Sequence, residues 1–259
     1  MKRLGALLVL VSAAVLAVAG VAGGGHAKAP VKELSFCTDP TFPPMESTTT
    51  SGKVVGFDVD MAAAIAKRWN VKSKPIKTAF PGLIPALNAK KCAVIISGIF
   101  VTPDRLKVAG AVTYLHSHRV LLVQGGNPKK IRSPNDLKDK NVAVQAGTKY
   151  EEYLKALKDQ IGFNLQSYPG DTDAVAQLLI GRADVVLTQD TSAAYQQGQH
   201  PGALAVGYLL PEQDSFGIYF RKSDRALGAA LRAAVKALKK NGTLVRLAVK
   251  YKLPKEDVQ

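Results

Sequence analysis

The chain has 259 residues, of which 47% are hydrophobic and 7% aromatic, a composition typical of a globular protein with room for one large or two medium domains. The formal net charge of +15 is compatible with nucleic acid, an anionic envelope surface or acidic ligands as partners. Because the basic residues are scattered and lack interleaved aromatic residues, we expect solvated faces and no nucleic-acid binding.

The first residues have the pattern of an export signal. Lys2 and Arg3 precede an almost uninterrupted apolar stretch over residues 4–22, and small residues lead from there to Ala27. We expect residues 1–27 to be a cleaved signal peptide and the mature protein to be periplasmic and soluble. An uncleaved anchor is the alternative, since the stretch is nearly long enough to span a bilayer. Cleavage removes two of the 35 basic residues and none of the 20 acidic ones, leaving a net charge of +13.

Strands and helices alternate after the signal. The predicted elements are a strand at 33–38, a helix at 57–69, a strand at 74–78, a short helix around 83–87 and a strand at 92–97. This order is typical of a parallel sheet, whose ligands gather at the carboxyl ends of the strands. Asp39 and Phe42, displayed by a proline-rich loop, fall near one such end, and Phe80 falls at another.

The stretch 93–105 predicts a strand, a glycine and a helix start. The strand stops at Ser97 and Gly98, and Thr102-Pro103 then provides an N-cap and a first helical residue. Gly98 lets a ligand approach the backbone, and Arg105 offers a planar fork for a carboxylate. The residues alone leave two interpretations open, an anion site or an ordinary connection with a solvated arginine.

The middle of the chain predicts a second α/β unit. A strand at 114–124 enters it, Thr148 and Glu151 match a capping box that heads a helix and forms a second anion site, and a strand at 184–188 ends at Gln189 and Asp190. Two strands, 205–209 and 216–220, and two helices, 224–240 and 243–251, close the chain.

We therefore predict an α/β protein with two lobes, each a mainly parallel sheet flanked by helices. Residues 28–123 and 211–259 form the first lobe, and residues 124–210 form the second. The two crossings, near Val123 and Pro211, form a paired hinge, and a cleft between such lobes is a usual place for a small ligand.

Cys37 and Cys92 are the only cysteines, and each lies in a predicted strand. If these strands are parallel neighbours that end at one edge, the two cysteines are offset by four residues, roughly 13 Å at strand rise. That separation exceeds disulfide reach. Although the compartment is oxidising, we expect two buried free thiols rather than a bridge.

Several motifs, in order, resemble those of extracytoplasmic solute-binding proteins of amino-acid ABC transporters, family 3. They cover essentially the whole mature chain, about 34–253. The motifs are TDPTFPP at 38–44, VGFDVD at 55–60, GLIPAL at 82–87, ISG at 96–98 with Arg105, QAGT at 145–148, GRAD at 181–184, FGI at 216–218 and NGT at 241–243.

The resemblance implies a type II periplasmic-binding-protein fold that closes on one ligand and delivers it to a membrane permease driven by an ATPase. In similar proteins an arginine matching Arg105, the backbone near Ser97 and Gly98, and the amides at Thr148 hold the ligand's carboxylate. Aromatic residues matching Phe42 and Phe80 enclose its side chain. The residue matching Asp39 meets a polar tip of the ligand, and an acid at the end of the second lobe's last inner strand meets its ammonium group.

The chain departs from the family pattern at three places. Phe100 stands where a threonine is common, Lys149 replaces a small residue, and the ammonium-binding acid falls on Gln189, with Asp190 next to it. We include Phe100, Gln145, Gln189 and Asp190 among the candidate ligand residues. The alternatives are that Phe100 belongs to the core, that Asp190 caps a helix beginning at 191, and that the hinge fixes Gln145 and Gln189.

The function expected is capture of an amino acid or a related small carboxylate or amine, by a monomer with no cofactor and no metal. The chain shows no paired carboxylates, no nucleophile with a base and no metal-ligand spacing, so we do not expect an enzyme. One alternative is a dehydratase of the cyclohexadienyl type, with Asp39 or Asp190 as the acid. The other is an accessory or sensor protein on the same fold.

Overall fold

The structure is a computed structural model that describes residues 29–258, so the predicted signal peptide lies outside the described residues. Three short strands form a separate small antiparallel sheet: β2 Thr41–Phe42, β3 Glu46–Thr48 and β4 Val54–Val55. The other strands form one large sheet: β1 Glu33–Thr38, β5 Lys72–Lys77, β6 Val94–Ile95, β7 Gly110–Gln124, β8 Asn141–Gln145, β9 Asn164–Tyr168, β10 Val185–Gln189 and β11 Leu204–Phe220.

Helices cover both faces of this sheet. They are α1 Phe57–Arg68, α2 Leu83–Asn88, α3 Pro103–Val108, α4 Lys149–Ile161, α5 Asp171–Leu179, α6 Asp190–Gln199, α7 Arg225–Lys240 and α8 Thr243–Lys250. Short 3-10 helices span Phe80–Gly82, Pro134–Leu137 and Glu256–Val258. No helix within residues 29–258 combines the length and apolarity that a membrane crossing requires.

The strand order of the large sheet is β5-β1-β6-β11-β7-β10-β8-β9. β1 pairs in parallel with β5 and β6 on one side, and β8 pairs in parallel with β9 and β10 on the other. The long antiparallel strands β7 and β11 lie between these groups and join them. The predicted fold class, two α/β units with parallel sheets and two connecting crossings, is confirmed.

Strands β7 and β11 differ from the prediction in length. The two strands predicted at 205–209 and 216–220 are one strand, β11, whose register with β7 shifts between Leu209 and Gln213. In β7, Arg119 to Val123 already pair with β10, a strand assigned to the second unit. The division of the lobes at Val123 and Pro211 stays a prediction, and this register favours a first crossing nearer Ser117.

The core explains why α1 forms where the periodicity predicts it. Phe57, Met61 and Ile65 are fully buried, and Trp69, just past the end of the helix, is nearly so. Four-residue spacing puts these side chains on one face of a helix, and that face packs beneath the parallel strands and against α7 and α8.

The prediction of two free thiols is wrong, because Cys37 and Cys92 form a disulfide with a Cα–Cα distance of 5.7 Å. The error lies in the extent of β6, which covers only Val94 and Ile95. Cys37 pairs opposite Ile95, and the chain before Val94 bends instead of continuing as a strand. The strand rise therefore does not apply to Cys92, whose sulfur bonds to that of Cys37.

Candidate functional site

A small cavity of about 10 Å³ lies between the two lobes, where the loops after β5, β6 and β8 meet. This space is enough for about one water molecule. Seven of the predicted site residues line it: Phe42, Phe80, Gly98, Phe100, Arg105, Gln145 and Thr148. Lys149 and Tyr150 also line it. The motifs did not single out Tyr150 for the site, although its position in the first turn after Thr148 was a signal that could have done so.

Arg105 enters the cavity from the first turn of α3. The Thr102 hydroxyl caps this helix and accepts the Arg105 backbone N–H at 3.3 Å, as the sequence predicted. The guanidinium donates from Nη1 to the Phe100 carbonyl at 3.1 Å and lies 5.5 Å from the centre of the Phe80 ring. Burial lowers the pKa of Arg105.

No carboxylate within residues 29–258 forms an ion pair with this guanidinium. Glu152, an acidic side chain that acts on Arg105 through charge, is itself paired with Lys149. A half-buried cation with one hydrogen bond and one aromatic contact is poorly compensated for its lost hydration. The cavity therefore favours an anionic group beside Arg105.

Asp39 and Gln145 join the two lobes beside the cavity. Asp39 Oδ2 accepts from the Phe80 backbone N–H at 3.0 Å and from Gln145 Nε2 at 2.8 Å. Asp39 is 4% exposed, and burial raises the pKa of its carboxyl group. The Asp39 carboxylate thus binds both the loop after β5 in the first lobe and Gln145 in the second lobe.

A glycine also permits close contact between the lobes. A Cβ atom on Gly147, which has φ +74°, would lie 2.8 Å from Pro81 Cγ. The conformation and the space both require glycine at this position. Together with the Asp39–Gln145 hydrogen bond, this contact defines a closed arrangement of the two lobes.

Thr148 caps α4 as predicted, but the capping box is not reciprocal. Its hydroxyl accepts the Glu151 N–H at 3.2 Å and donates to the Gln145 carbonyl at 2.7 Å. The Glu151 carboxylate accepts from the N–H of Gly147 at 2.9 Å instead of that of Thr148. The Thr148 side chain is therefore already engaged, while α4 directs its first turn, with Lys149 and Tyr150, at the cavity.

The donors of Ser97 and Gly98 are engaged beneath the cavity. The Ser97 hydroxyl accepts the Asp39 N–H at 2.8 Å and donates to Glu46 Oε1 at 2.9 Å. The Gly98 N–H donates to Asp58 Oδ2 at 2.7 Å. Gly98 has φ +47°, and a Cβ there would lie 2.8 Å from the Phe42 ring. These residues build the floor of the cavity, and their binding roles stay predictions.

A buried carboxyl pair under this floor was missed by the sequence analysis. Glu46 and Asp58 are fully buried, and Tyr114 donates its hydroxyl proton to Asp58 Oδ2 at 2.9 Å. Burial and the facing carboxyl raise the pKa of Glu46 well above its usual value, and burial raises the pKa of Asp58 to about 6. Asp58 lies within a quoted motif, but no local pattern indicates that Glu46 faces it.

Gln189 and Asp190 lie outside the cavity lining, at the junction of β10 with β7. Gln189 is fully buried, and its Oε1 lies 2.6 Å from the Ser117 hydroxyl oxygen, whose single proton is shared between Gln189 and Asp190. Asp190 accepts from Ser117, from the His118 N–H at 3.1 Å and from the Thr191 N–H at 2.7 Å. Helix α6 begins at Asp190. The alternative in which Asp190 caps this helix predicted a first helical residue at 191, one position later.

Phe100 belongs to the core and to the cavity at once. Its ring stacks on Phe216 at 5.4 Å with an interplanar angle of 21°, and meets Tyr150 edge-to-face at 5.3 Å. Phe42 contacts Phe216 edge-to-face at 6.2 Å. Although Phe100 is only 4% exposed, it lines the cavity. Phe100 is thus a core residue that also lines the cavity, and its contact with a ligand stays a prediction.

Residues 34–254 match the family model of bacterial extracellular solute-binding proteins, family 3. The chain belongs to this family. It is 32% identical over 213 residues to the L-cystine-binding protein TcyJ of Escherichia coli, covering 82% of this chain and 79% of the relative. As the family implies, this solute-binding protein is the periplasmic substrate-binding component of an ABC transporter, which takes a small-molecule ligand and has a membrane permease as its partner.

Two solved structures illustrate the likeness of this solute-binding protein. An ancestral arginine-binding protein bound to arginine superposes with a TM-score of 0.81 at 32% identity, covering 85% of this chain and 98% of that chain. The ancestral amino acid-binding protein AncCDT-1, described as a precursor of cyclohexadienyl dehydratase, gives a TM-score of 0.78 at 31% identity, covering 85% of this chain and 95% of that chain.

Proposed function

We propose that this solute-binding protein captures a small carboxylate, an amino acid or a related acid, with Arg105 as its anionic anchor. The observation that carries the proposal is the half-buried Arg105 guanidinium, which lines the interlobe cavity without an ion-pair partner in the described chain. A ligand carboxylate would supply the missing acceptor and the missing charge. Relatives described as binding cystine, histidine or arginine support a ligand of this size and class.

The interactions available are sufficient for useful affinity. A charged hydrogen bond contributes about 1.5–3 kcal/mol. Micromolar binding requires about 8 kcal/mol. Two or three such bonds from Arg105 and the first turn of α4, together with burial of the ligand's side chain between Phe42 and Phe80, reach that range. Asp39, Ser97, Gly98, Gln145 and Thr148 then shape and hold the cavity rather than all contacting the ligand.

Binding would be coupled to the arrangement of the lobes. In the closed arrangement the cavity holds about 10 Å³, which is far smaller than an amino acid, so the lobes must part or the side chains must turn for a ligand to enter. The strands β7 and β11 are the two connections that would bend, with the second lobe spanning about 124–210. We further propose a monomer that does not bind nucleic acid.

We also propose that the protein is not an enzyme. A dehydratase requires an acid that reaches the leaving hydroxyl of its substrate. Asp39 accepts hydrogen bonds from Phe80 and Gln145, Asp190 accepts from Ser117 and His118, and neither residue is in the cavity lining. Product analysis after incubation with prephenate tests this point, and turnover above that of a heat-denatured sample would refute it.

The experiment for the binding role uses refolded, ligand-stripped protein and a calorimetric panel of amino acids and related acids. Arg105→Ala should weaken the tightest ligand by about 100-fold, as expected for the loss of about 3 kcal/mol of charged hydrogen bonding. Lys107→Ala is the matched control, because Lys107 is an exposed cation on the same helix. Equal affinity of the Arg105→Ala variant and the control would refute the anchor.

A further inference from the structure

The side chains around the interlobe cavity carry charge of one sign. Arg105 and Lys149 both line it, and no carboxylate does so within residues 29–258, although Glu152 and Asp104 pair with Lys149 from outside the lining. Asp39, which adjoins the cavity, uses Oδ2 for the Phe80 N–H and the Gln145 amide. Asp190 is engaged at the junction of β10 and β7. A ligand in this cavity would meet one cation without an ion-pair partner in the described chain, Arg105, and a second, Lys149, that is paired with Glu152.

An aromatic wall closes the side of the cavity that faces β10. Tyr150 and Phe100 meet edge-to-face at 5.3 Å and both line the cavity, and Phe100 is in turn stacked on Phe216. The Gln189 amide adjoins the Tyr150 hydroxyl on the far side. Gln189 does not reach the cavity, and it carries no charge. The wall therefore separates the two cations from the polar groups at the end of β10.

These features disfavour an ammonium group next to the bound carboxylate. An ammonium placed beside Arg105 would lose its hydration, meet a like charge and find no carboxylate in the lining. The Phe80 ring, which could otherwise attract it, already faces the Arg105 guanidinium at 5.5 Å. A hydroxyl, a carbonyl or a hydrogen atom on the same carbon would carry none of these costs.

We propose that the ligand is a carboxylic acid with a neutral α-substituent, such as a 2-hydroxy or 2-oxo acid, rather than an α-amino acid. This inference rests on the proposed function, because it assumes that Arg105 binds the carboxylate. It adds a selection rule in which Lys149 and the Phe100–Tyr150 wall determine the ligand class.

The test compares acids that differ only in the α-substituent. The probes are lactate against alanine, malate against aspartate, and 3-phenyllactate against phenylalanine, each titrated by calorimetry into the refolded mature protein. We expect the hydroxy acid of the pair that fits best to bind at least tenfold more tightly than its amino acid. We also expect Arg105→Ala to weaken that binding by about 100-fold.

The outcomes separate the inference from the proposed function. If an amino acid binds more tightly than its hydroxy acid and depends on Arg105, the inference is overturned and the proposed function stands. If no probe binds, or if binding is independent of Arg105, both are overturned. A hydroxy-acid preference that depends on Arg105 supports both.

Two variants test the selection rule itself. Lys149→Met changes a partly exposed side chain and frees the Glu152 carboxylate from its ion pair; it should weaken the hydroxy acid and reduce the tenfold preference to about threefold or less. Phe100→Thr combined with Gln189→Asp opens the wall and adds an acid behind it, and should shift the preference toward the amino acid. An unchanged preference in Lys149→Met, or in the double variant where its melting curve shows a folded protein, would overturn the rule.

Discussion

The chain segments that follow β6 and β10, called the first end and the second end, use their charged groups in opposite ways. At the first end, Arg105 lines the cavity without an ion-pair partner in the described chain, and a disulfide and a buried carboxyl pair stabilise the loops around it. At the second end, the Asp190 carboxylate accepts three hydrogen bonds from Ser117, His118 and Thr191 and does not line the cavity.

The difference shows that a charged residue at a strand end is not by itself a ligand contact. What distinguishes Arg105 from Asp190 is whether the protein already satisfies the charge. A group without an internal partner gains by binding a ligand, whereas a fully bonded group would have to give up protein contacts first. Mutations should therefore affect affinity at one end and stability at the other.

The largest effect on stability is expected from removing the disulfide near the first end. Cys37→Ala with Cys92→Ala should lower the free energy of unfolding by about 2–5 kcal/mol, because the bond closes a loop with a sequence separation of 55. Urea unfolding of the double variant, compared with reduced and oxidised wild type, measures this. If all three midpoints coincide, the disulfide does not stabilise this end.

Asp190→Ala should distinguish the second end from the first. The His118 and Thr191 amides would lose their acceptor, and the Ser117 hydroxyl would keep only Gln189, so we expect the free energy of unfolding to fall by about 1–3 kcal/mol. Ligand affinity should change by less than about threefold, against about 100-fold for Arg105→Ala. The interpretation fails if Asp190→Ala loses affinity as strongly as Arg105→Ala while keeping its stability.

The buried pair Glu46 and Asp58 should make stability depend on pH. The pKa of Asp58 rises from 3.8 to about 6 on folding, so its contribution is complete below about pH 4 and is lost as the pH rises through 6. Glu46 shifts in the same direction. Through Asp58 the free energy of unfolding should then fall between pH 4 and 6 by up to about 1.4 kcal/mol per pH unit, and Glu46 adds a contribution of the same sign.

Urea unfolding at several pH values, with Asp58→Asn beside wild type, measures this slope. The variant should show a flatter profile over pH 4–6, while Asp104→Asn, an exposed carboxyl, serves as the control. Because Asp104→Asn removes one carboxyl group just as Asp58→Asn does, it controls for the change in net charge. A slope in Asp58→Asn equal to that of wild type would contradict the assignment.

The smallest effect is expected for the hydrogen bond that joins the lobes. Gln145→Ala removes the 2.8 Å bond to Asp39, worth about 0.5–1.5 kcal/mol or somewhat more for a charged acceptor. The closed arrangement should lose population, which small-angle scattering of the ligand-free protein would detect as a larger radius of gyration. Gln160→Ala, which removes an exposed amide on α4 away from Asp39, is a control that should leave the radius unchanged.

Local sequence features predicted most of the fold. The α1 face of Phe57, Met61 and Ile65 and the caps at Thr102 and Thr148 appear where the sequence indicated them. Helix caps and side-chain periodicity depend on residues within one or two turns, so they can be identified without a tertiary structure. The ordered motifs were sufficient to identify the family.

The errors and omissions concern contacts between residues far apart in the chain. The disulfide depends on where β6 stops, and Glu46 meets Asp58 only because the small sheet packs on α1. Tyr150 reaches the cavity because the two lobes close on each other.

The sequence by itself thus determined the two α/β units, their helix starts and the presence of Arg105 in the first turn of α3, because these follow from local spacing and capping. The tertiary structure decided which charges remain available for a ligand. Whether Arg105 or Asp190 has a partner depends on the packing of β7 against β10 and on the closure of the lobes over α3. Pairing and burial of charges arise from these long-range contacts, which local sequence patterns do not specify.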